Sequence, residues 1–239
     1  MQPILVIASV AQELALLVRS LQGKREQGVD FPEVFSGKIR GRDLLVAVTG
    51  IGKINTAMGL TSLILQYGPR LIINTGCAGA YPESGLGVGE LALASSEILG
   101  DEGVATPSGW ESLEHIGIPS LERKETRYFN EFPLTFAPAE RAMQLASALD
   151  LPLRRGRFVT VSTCSGTSQR GRELYARFGG LCENMEGAAA AQVALQFGID
   201  CMELRGISNL VEDRDLSRWD LPFAMEQAQR FILRYLEHY

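Results

Sequence analysis

Arg70-Leu71-Ile72-Ile73-Asn74-Thr75-Gly76-Cys77-Ala78-Gly79-Ala80 sets an apolar, β-branched run directly against a patch of small and polar residues. The run reads as a strand buried on both faces. The patch falls at the strand's carboxyl end, where open α/β sheets bind ligands, and two close glycines there let a ligand approach the backbone. Gly68-Pro69 in front of it is a strong stop for the helix expected from about Lys53 to Gln66.

The same grammar extends outward. Pro3 to Ser9 is another continuously apolar strand, followed by Leu14, Leu17, Val18 and Leu21 at helical spacing. Val34 to Thr49 reads as two strands joined near Gly41-Arg42-Asp43, a hairpin-turn composition. Downstream, strands are expected over 88–99, 157–163, 181–185 and 201–208. Helices are expected over 138–149, 169–178, 187–197 and 221–237. The stretch from Gly100 to Phe136 looks like long surface excursions. No repeat or linker divides the chain, so residues 1–239 are expected to form a single α/β domain. Its expected architecture is a three-layer sandwich with a mixed central sheet.

Composition narrows the class. The 239 residues carry a net charge of −5, with 46% hydrophobic and 21% charged residues, an ordinary globule able to bury one large core. Mild acidity argues against nucleic acid as the main partner, because neutralising phosphates needs a basic face. The apolar N-terminus has no basic flank and is interrupted by Gln12 and Glu13, so neither a signal peptide nor a membrane span is expected. Cys77, Cys164, Cys182 and Cys201 show no CxxC spacing and read as reduced thiols of a cytoplasmic protein. His115 and His238 lie far from any Cys/Asp cluster, so neither a zinc site nor a Ser-His-Asp triad is expected, and no metal or cofactor is implied. Gly50-Ile51-Gly52-Lys53 fails the phosphate-loop pattern at Ala47 and Ile54, and Gly85-Leu86-Gly87-Val88-Gly89 precedes a strand instead of opening a helix.

What remains is a set of polar residues at successive strand ends: Glu13, Cys77-Ala78-Gly79, Met185-Glu186 and Arg205-Gly206-Ile207-Ser208-Asn209. Together they make one polar pocket plausible. Glu186 precedes an alanine-rich helix. It can merely favour the helix dipole, or it can accept two hydrogen bonds from vicinal sugar hydroxyls.

In this order, Val10-Ala11-Gln12-Glu13-Leu14, Gly50-Ile51-Gly52-Lys53, Asn74-Thr75-Gly76-Cys77-Ala78-Gly79, Asn184-Met185-Glu186 and Arg205-Gly206-Ile207-Ser208-Asn209 resemble the nucleoside phosphorylase/nucleosidase family over nearly the whole chain. Gly100-Asp101-Glu102-Gly103-Val104 and the Ser208-Asn209 ending look most like its futalosine-hydrolase branch. The resemblance implies a homodimer that cleaves the N-glycosidic bond of a purine nucleoside. It assigns Glu13 to hold and deprotonate the attacking water and Glu186 to grip the 2′- and 3′-hydroxyls. Met185 would pack on the ribose, and Trp219 would lie near the 5′ substituent. Family members that use phosphate carry Arg and Ser where this chain has Asn74 and Cys77, so water is the expected co-substrate.

Asn209 discriminates among purines. The adenosine-type nucleosidases carry Asp there, able to donate to N7 and accept from a 6-amino group. A 6-oxopurine offers two acceptors, which suits the two donor hydrogens of an amide and points to a hypoxanthine leaving group. The family's purine-stacking Phe is absent; the matching stretch is Cys164-Ser165-Gly166-Thr167, leaving Phe129 or Tyr81 as candidates. A 5′ carboxylate would need a cation, for which Arg214, Arg218 and Arg127 stand open. Asp101 and Glu102 are adjacent and would face opposite ways on a strand, so they are not expected to pair as acid and base. The alternatives are a methylthioadenosine/adenosylhomocysteine nucleosidase and a non-catalytic nucleoside-binding protein.

Overall fold

The computed structural model describes residues 2–21, 23–26 and 31–239. In chain order its strands are β1 Ile4–Ala8, β2 Lys24–Arg25, β3 Glu33–Ile39, β4 Arg42–Val48, β5 Leu71–Ala80, β6 Leu91–Leu99, β7 Val104–Thr106, β8 Gly109–Glu111, β9 Leu121–Arg123, β10 Thr126–Tyr128, β11 Glu131–Pro133, β12 Leu153–Thr160, β13 Cys182–Asn184 and β14 Asp200–Leu210. The helices are α1 Ala15–Ser20, α2 Lys53–Tyr67, α3 Leu113–Ile116, α4 Phe136–Ala148, α5 Ser168–Phe178, α6 Gly187–Phe197 and α7 Leu221–His238.

Ten strands form one mixed sheet, in the order β11-β6-β12-β13-β5-β1-β4-β3-β2, with β14 joining β5 in parallel and β6 antiparallel. The two-residue period of a strand divides its buried side chains between two helical layers. Leu5 and Ile7 of β1 pack with Leu60 and Leu63 of α2 and Ala190 and Ala194 of α6. Ile4, Val6 and Ala8 face the opposite way, toward Leu17 of α1, Ala142 of α4 and Phe231 of α7. β4, β5 and β6 split their side chains in the same manner. Both faces are covered, so these strands read as continuous apolar runs without alternation. A three-layer α/β architecture with a mixed central sheet is therefore the fold.

Three boundaries differ from expectation. The small-residue patch Thr75–Ala80 is not a loop after the strand. It is the second half of β5, held there by pairing with β14 along its length and with β13 at Gly79 and Ala80. β14 likewise runs through Asn209 to Leu210, with a register slip that leaves Ser208 as the extra residue between the Ile207–Ala78 and Asn209–Gly79 pairs. The segment from Gly100 to Phe136 contains two small two-stranded ribbons, β7–β8 and β9–β10, and the one-turn helix α3. Asp101 and Glu102 sit in the bend between β6 and β7, where both accept from Lys53 Nζ at 2.8 Å. The expectation that they would face opposite ways fails because neither lies on a strand.

Candidate active site

Glu13 follows β1 in a single 3₁₀ turn that tucks its side chain back under the strand end. Its Oε2 accepts from Ser9 Oγ at 2.7 Å, Ser9 N–H at 3.2 Å and Val10 N–H at 3.3 Å; its Oε1 accepts from Cys77 N–H at 2.9 Å. Four donors, three from the bend after β1 and one from β5, thus fix one carboxylate. Gly76 lets β5 pass this close. Its φ of +144° suits glycine, and a Cβ there would lie 2.5 Å from Glu13 Oε1 and 2.8 Å from Arg205 Nη1.

Glu186 immediately precedes α6, at its N-cap position. Its Oε1 accepts from Gly52 N–H at 2.9 Å, and its Oε2 meets Arg205 Nη2 at 3.5 Å. Burial lifts its carboxyl above the ordinary range against the pull of Arg205. Arg205, 1% exposed, also donates from Nε to Glu203 Oε1 at 2.7 Å and from Nη1 to the Cys77 carbonyl at 3.2 Å. These anions hold the guanidinium charged well above its usual range despite complete burial.

The slip in β14 shapes the third corner, as strand bulges beside functional sites commonly do. Ser208 Oγ is within reach of Asn209 Oδ1 at 2.8 Å and the Ala78 carbonyl at 3.3 Å, while Asn209 Nδ2 donates to the Leu210 carbonyl at 3.0 Å. One amide hydrogen of Asn209 is therefore committed to the backbone, and one remains, where the sequence argument counted two.

Glu13, Cys77, Ala78, Gly79, Met185, Glu186, Ser208, Asn209 and Trp219, the nine residues expected to build a site, all line one cavity of about 260 Å³. The carboxylate from the start of the chain and the carboxamide from its far end open into the same space. Ser9, Val161, Ser165 and Glu183 also line it, without a role in the sequence reasoning, and so does Arg205, which that reasoning placed among the strand-end polar groups but gave no task. Arg205 and Glu203 did leave a signal. Charges two apart in the otherwise apolar Cys201-Met202-Glu203-Leu204-Arg205 face one way and mark a buried ion pair.

Neither proposed stacking residue belongs to the cavity wall. Tyr81 is fully buried with Leu174 and Val211, its hydroxyl donating to Glu183 Oε2 at 3.3 Å. Phe129 lies under the Arg127 guanidinium, away from the cavity. The wall is completed instead by Cys164 and Ser165, on a loop that Glu183 holds by accepting from Ser165 N–H and Oγ, each at 2.7 Å. Burial and the Glu13 charge push the Cys77 thiol up to about 12, and burial also raises Cys164, so both stay protonated and are poor nucleophiles. Of the three candidate cations, Arg218 pairs with Glu212 at 2.7 Å and Arg127 with Glu122 at 3.0 Å. Arg214 lies 4.7 Å from the Trp219 ring centroid and forms no ion pair among the described residues.

The chain belongs to the phosphorylase superfamily, whose sequence pattern matches residues 3–239. It is 35% identical over 198 residues to the futalosine hydrolase of Thermus thermophilus, spanning 83% of each chain. Over 207 residues it is 31% identical to the 5′-methylthioadenosine/S-adenosylhomocysteine nucleosidase of Geobacillus kaustophilus, spanning 86% of this chain and 83% of that one. Its fold superposes on the nucleosidase of that name from Neisseria meningitidis, solved with methylthio-immucillin-A, with a TM-score of 0.86 at 21% identity over the full length of both chains. It superposes equally well, at 0.86 and 20% identity, on the futalosine hydrolase of Helicobacter pylori, covering 100% of this chain and 98% of that one. The chain thus sits among the nucleosidases of its superfamily.

Gly76→Ala forces a methyl between Glu13 and Arg205 and strains the backbone. It is expected to lower the unfolding free energy by about 1–3 kcal/mol, read from urea denaturation midpoints; an unchanged midpoint would contradict the close packing described for β5.

Proposed function

We propose that the chain is an N-glycosyl hydrolase that cleaves futalosine with water, releasing hypoxanthine and dehypoxanthine futalosine, a step of menaquinone biosynthesis. One observation carries this reading: Glu13 and Asn209 line a single cavity together with the Glu186–Arg205 pair. Breaking the C1′–N9 bond builds positive charge on the ribose and negative charge on the departing base. Glu13, held by four donors, orients and deprotonates the attacking water on one side of C1′. Glu186 accepts from the ribose hydroxyls, with Met185 against the sugar. The remaining amide hydrogen of Asn209 is directed to N7 of the leaving base.

Three features support water, a 6-oxopurine and an aromatic 5′ group in turn. The Arg205 guanidinium is already engaged by Glu203, Glu186 and the Cys77 carbonyl, so it is not free to bind phosphate. The Asn209 carboxamide is neutral and keeps a donor hydrogen, whereas an ionised carboxylate at this position would repel the O6 of a 6-oxopurine. The Trp219 ring at the cavity edge, with the Arg214 guanidinium over it, suits an aromatic 5′ group that ends in a carboxylate.

A methylthioadenosine/adenosylhomocysteine nucleosidase is the alternative, favoured by relatives of that name that are 29% and 31% identical to this chain. A nucleoside-binding protein without activity could use Glu186 to hold the ribose but would have no use for the buried Glu13 carboxylate beside it. The protein is read as acting in the cytoplasm on a small nucleoside, as a homodimer. Ile54, Met58 and Leu65 form an exposed apolar stripe on α2, beside the exposed Ile51 of the cavity rim, and suit a second copy of the chain.

Incubation with futalosine, aminofutalosine, inosine and methylthioadenosine in phosphate-free buffer should free hypoxanthine from futalosine fastest; adenine from methylthioadenosine as the main product would select the alternative. Glu13→Gln should bind nucleoside but turn over about 100-fold or more slowly, the scale of a general base, and wild-type turnover would refute its role. Asn209→Asp should move preference toward 6-aminopurine nucleosides, and unchanged preference would overturn the donor argument. Sedimentation equilibrium should return the mass of two chains, and a monomer at micromolar concentration would rule out the stripe as a stable contact.

A further inference from the structure

Behind the cavity lie two carboxyl groups with no role in the reaction above, Glu97 on β6 and Glu203 on β14, both fully buried. Glu97 Oε2 accepts from Thr160 Oγ1 at 2.6 Å, and its Oε1 accepts from Asn184 Nδ2 at 2.7 Å. Glu203 Oε1 accepts from Arg205 Nε, but Glu203 Oε2 has no hydrogen-bond partner. A buried, unpartnered carboxylate oxygen is costly and calls for an explanation. Its neighbour supplies one. Glu203 Oε2 and Glu97 Oε1 are neighbours, because a Cβ at Gly187 would lie 2.5 Å from the first and closer still to the second. Two ionised carboxylates meeting in this way repel, and a single proton between them turns the repulsion into a hydrogen bond.

We propose that Glu97 and Glu203 hold one proton between Glu97 Oε1 and Glu203 Oε2, and that this acid–carboxylate pair positions Glu186 from two sides. On one side, Glu203 anchors Arg205, which reaches Glu186. On the other, Glu97 orients Asn184 and Thr160. Asn184 Oδ1 accepts from the N–H groups of Glu186 and Gly187 at 2.9 and 2.7 Å, and Thr160 Oγ1 accepts from Ala188 N–H at 2.7 Å, so the start of α6 is held by the same pair. The absence of a side chain at Gly187 is what lets the helix begin there. The charged and titratable groups around the pair are Arg205 and Cys201 on β14, Cys182 on β13, and Glu186 and Glu13 beyond Arg205. Burial, then the charge of Glu203, pushes the Glu97 carboxyl well above the usual range, with Thr160, Arg205 and Asn184 opposing. The positioning half rests on the reading of Glu186 as the ribose-gripping group; the shared proton does not.

The test uses the full chain. Infrared spectra at pH 8 should contain the C=O stretch of a protonated carboxyl that disappears in both Glu97→Gln and Glu203→Gln. Each single variant replaces the proton-bearing partner by an amide and leaves one negative charge beside Arg205. Each should therefore keep kcat/KM for futalosine within about threefold, whereas the double variant loses that charge and should raise KM about tenfold or more with little change in kcat, well beyond the product of the singles. A double variant that fails to fold beside two folded singles is the same non-additivity. A folded wild-type protein without the infrared band, or single effects that multiply to the double, would overturn the shared proton. An unchanged KM in a folded double variant would overturn the positioning role. If futalosine is not a substrate, the infrared bands and the additivity of melting temperatures still decide the proton.

Discussion

A guanidinium with 1% of its surface exposed survives inside a protein only if anions and carbonyls replace the water it has lost. Arg205 meets that demand with Glu203 on its own strand, Glu186 at the start of α6, and the Cys77 carbonyl on β5. Three elements far apart in the chain are thereby pinned to one charge. The buried ion is compensated only where these partners converge, which is why β5, β14 and α6 meet in a single arrangement.

The sheet makes that arrangement possible. β5 pairs with β1, β13 and β14, so it carries Gly76, Cys77 and Gly79 past Glu13, Arg205 and Asn209 in turn. The slip at Ser208 adds one residue to β14 and turns Ser208 and Asn209 toward the cavity while pairing resumes at Gly79. Small residues on one strand and a bulge on its neighbour open a cavity of about 260 Å³ in the middle of a sheet whose faces are otherwise filled. The fixed carboxylates around it are oriented by backbone N–H groups and hydroxyls, which is the preorganisation that hydrolysis of a glycosidic bond calls for.

Much of this was legible beforehand where a residue's type and its place in a periodic run agreed. β1, α2 and α6 fall close to the expected bounds because apolar spacing and glycine stops act locally. Thr75–Ala80 was misplaced because its glycines carry no strand propensity; long-range pairing with β14 and β13 makes it a strand. Tyr81 looked available for stacking, yet the turn into the second half of the sheet buries it against α5. Asp101 and Glu102 looked divergent, and Lys53 from α2 draws them together.

The amino-acid sequence alone determined the alternation of strands and helices, the buried nature of the sheet, and the identity of the polar groups available to a site. These follow from side-chain chemistry and periodicity, which operate within a few residues. Only the tertiary structure decided that Glu13 and Asn209 share a cavity, that one amide hydrogen of Asn209 is already spent, and that Glu97 meets Glu203 behind Glu186. Those facts depend on strand order and on a one-residue register slip, which arise from hydrogen bonds between segments more than a hundred residues apart and leave no local trace in the chain.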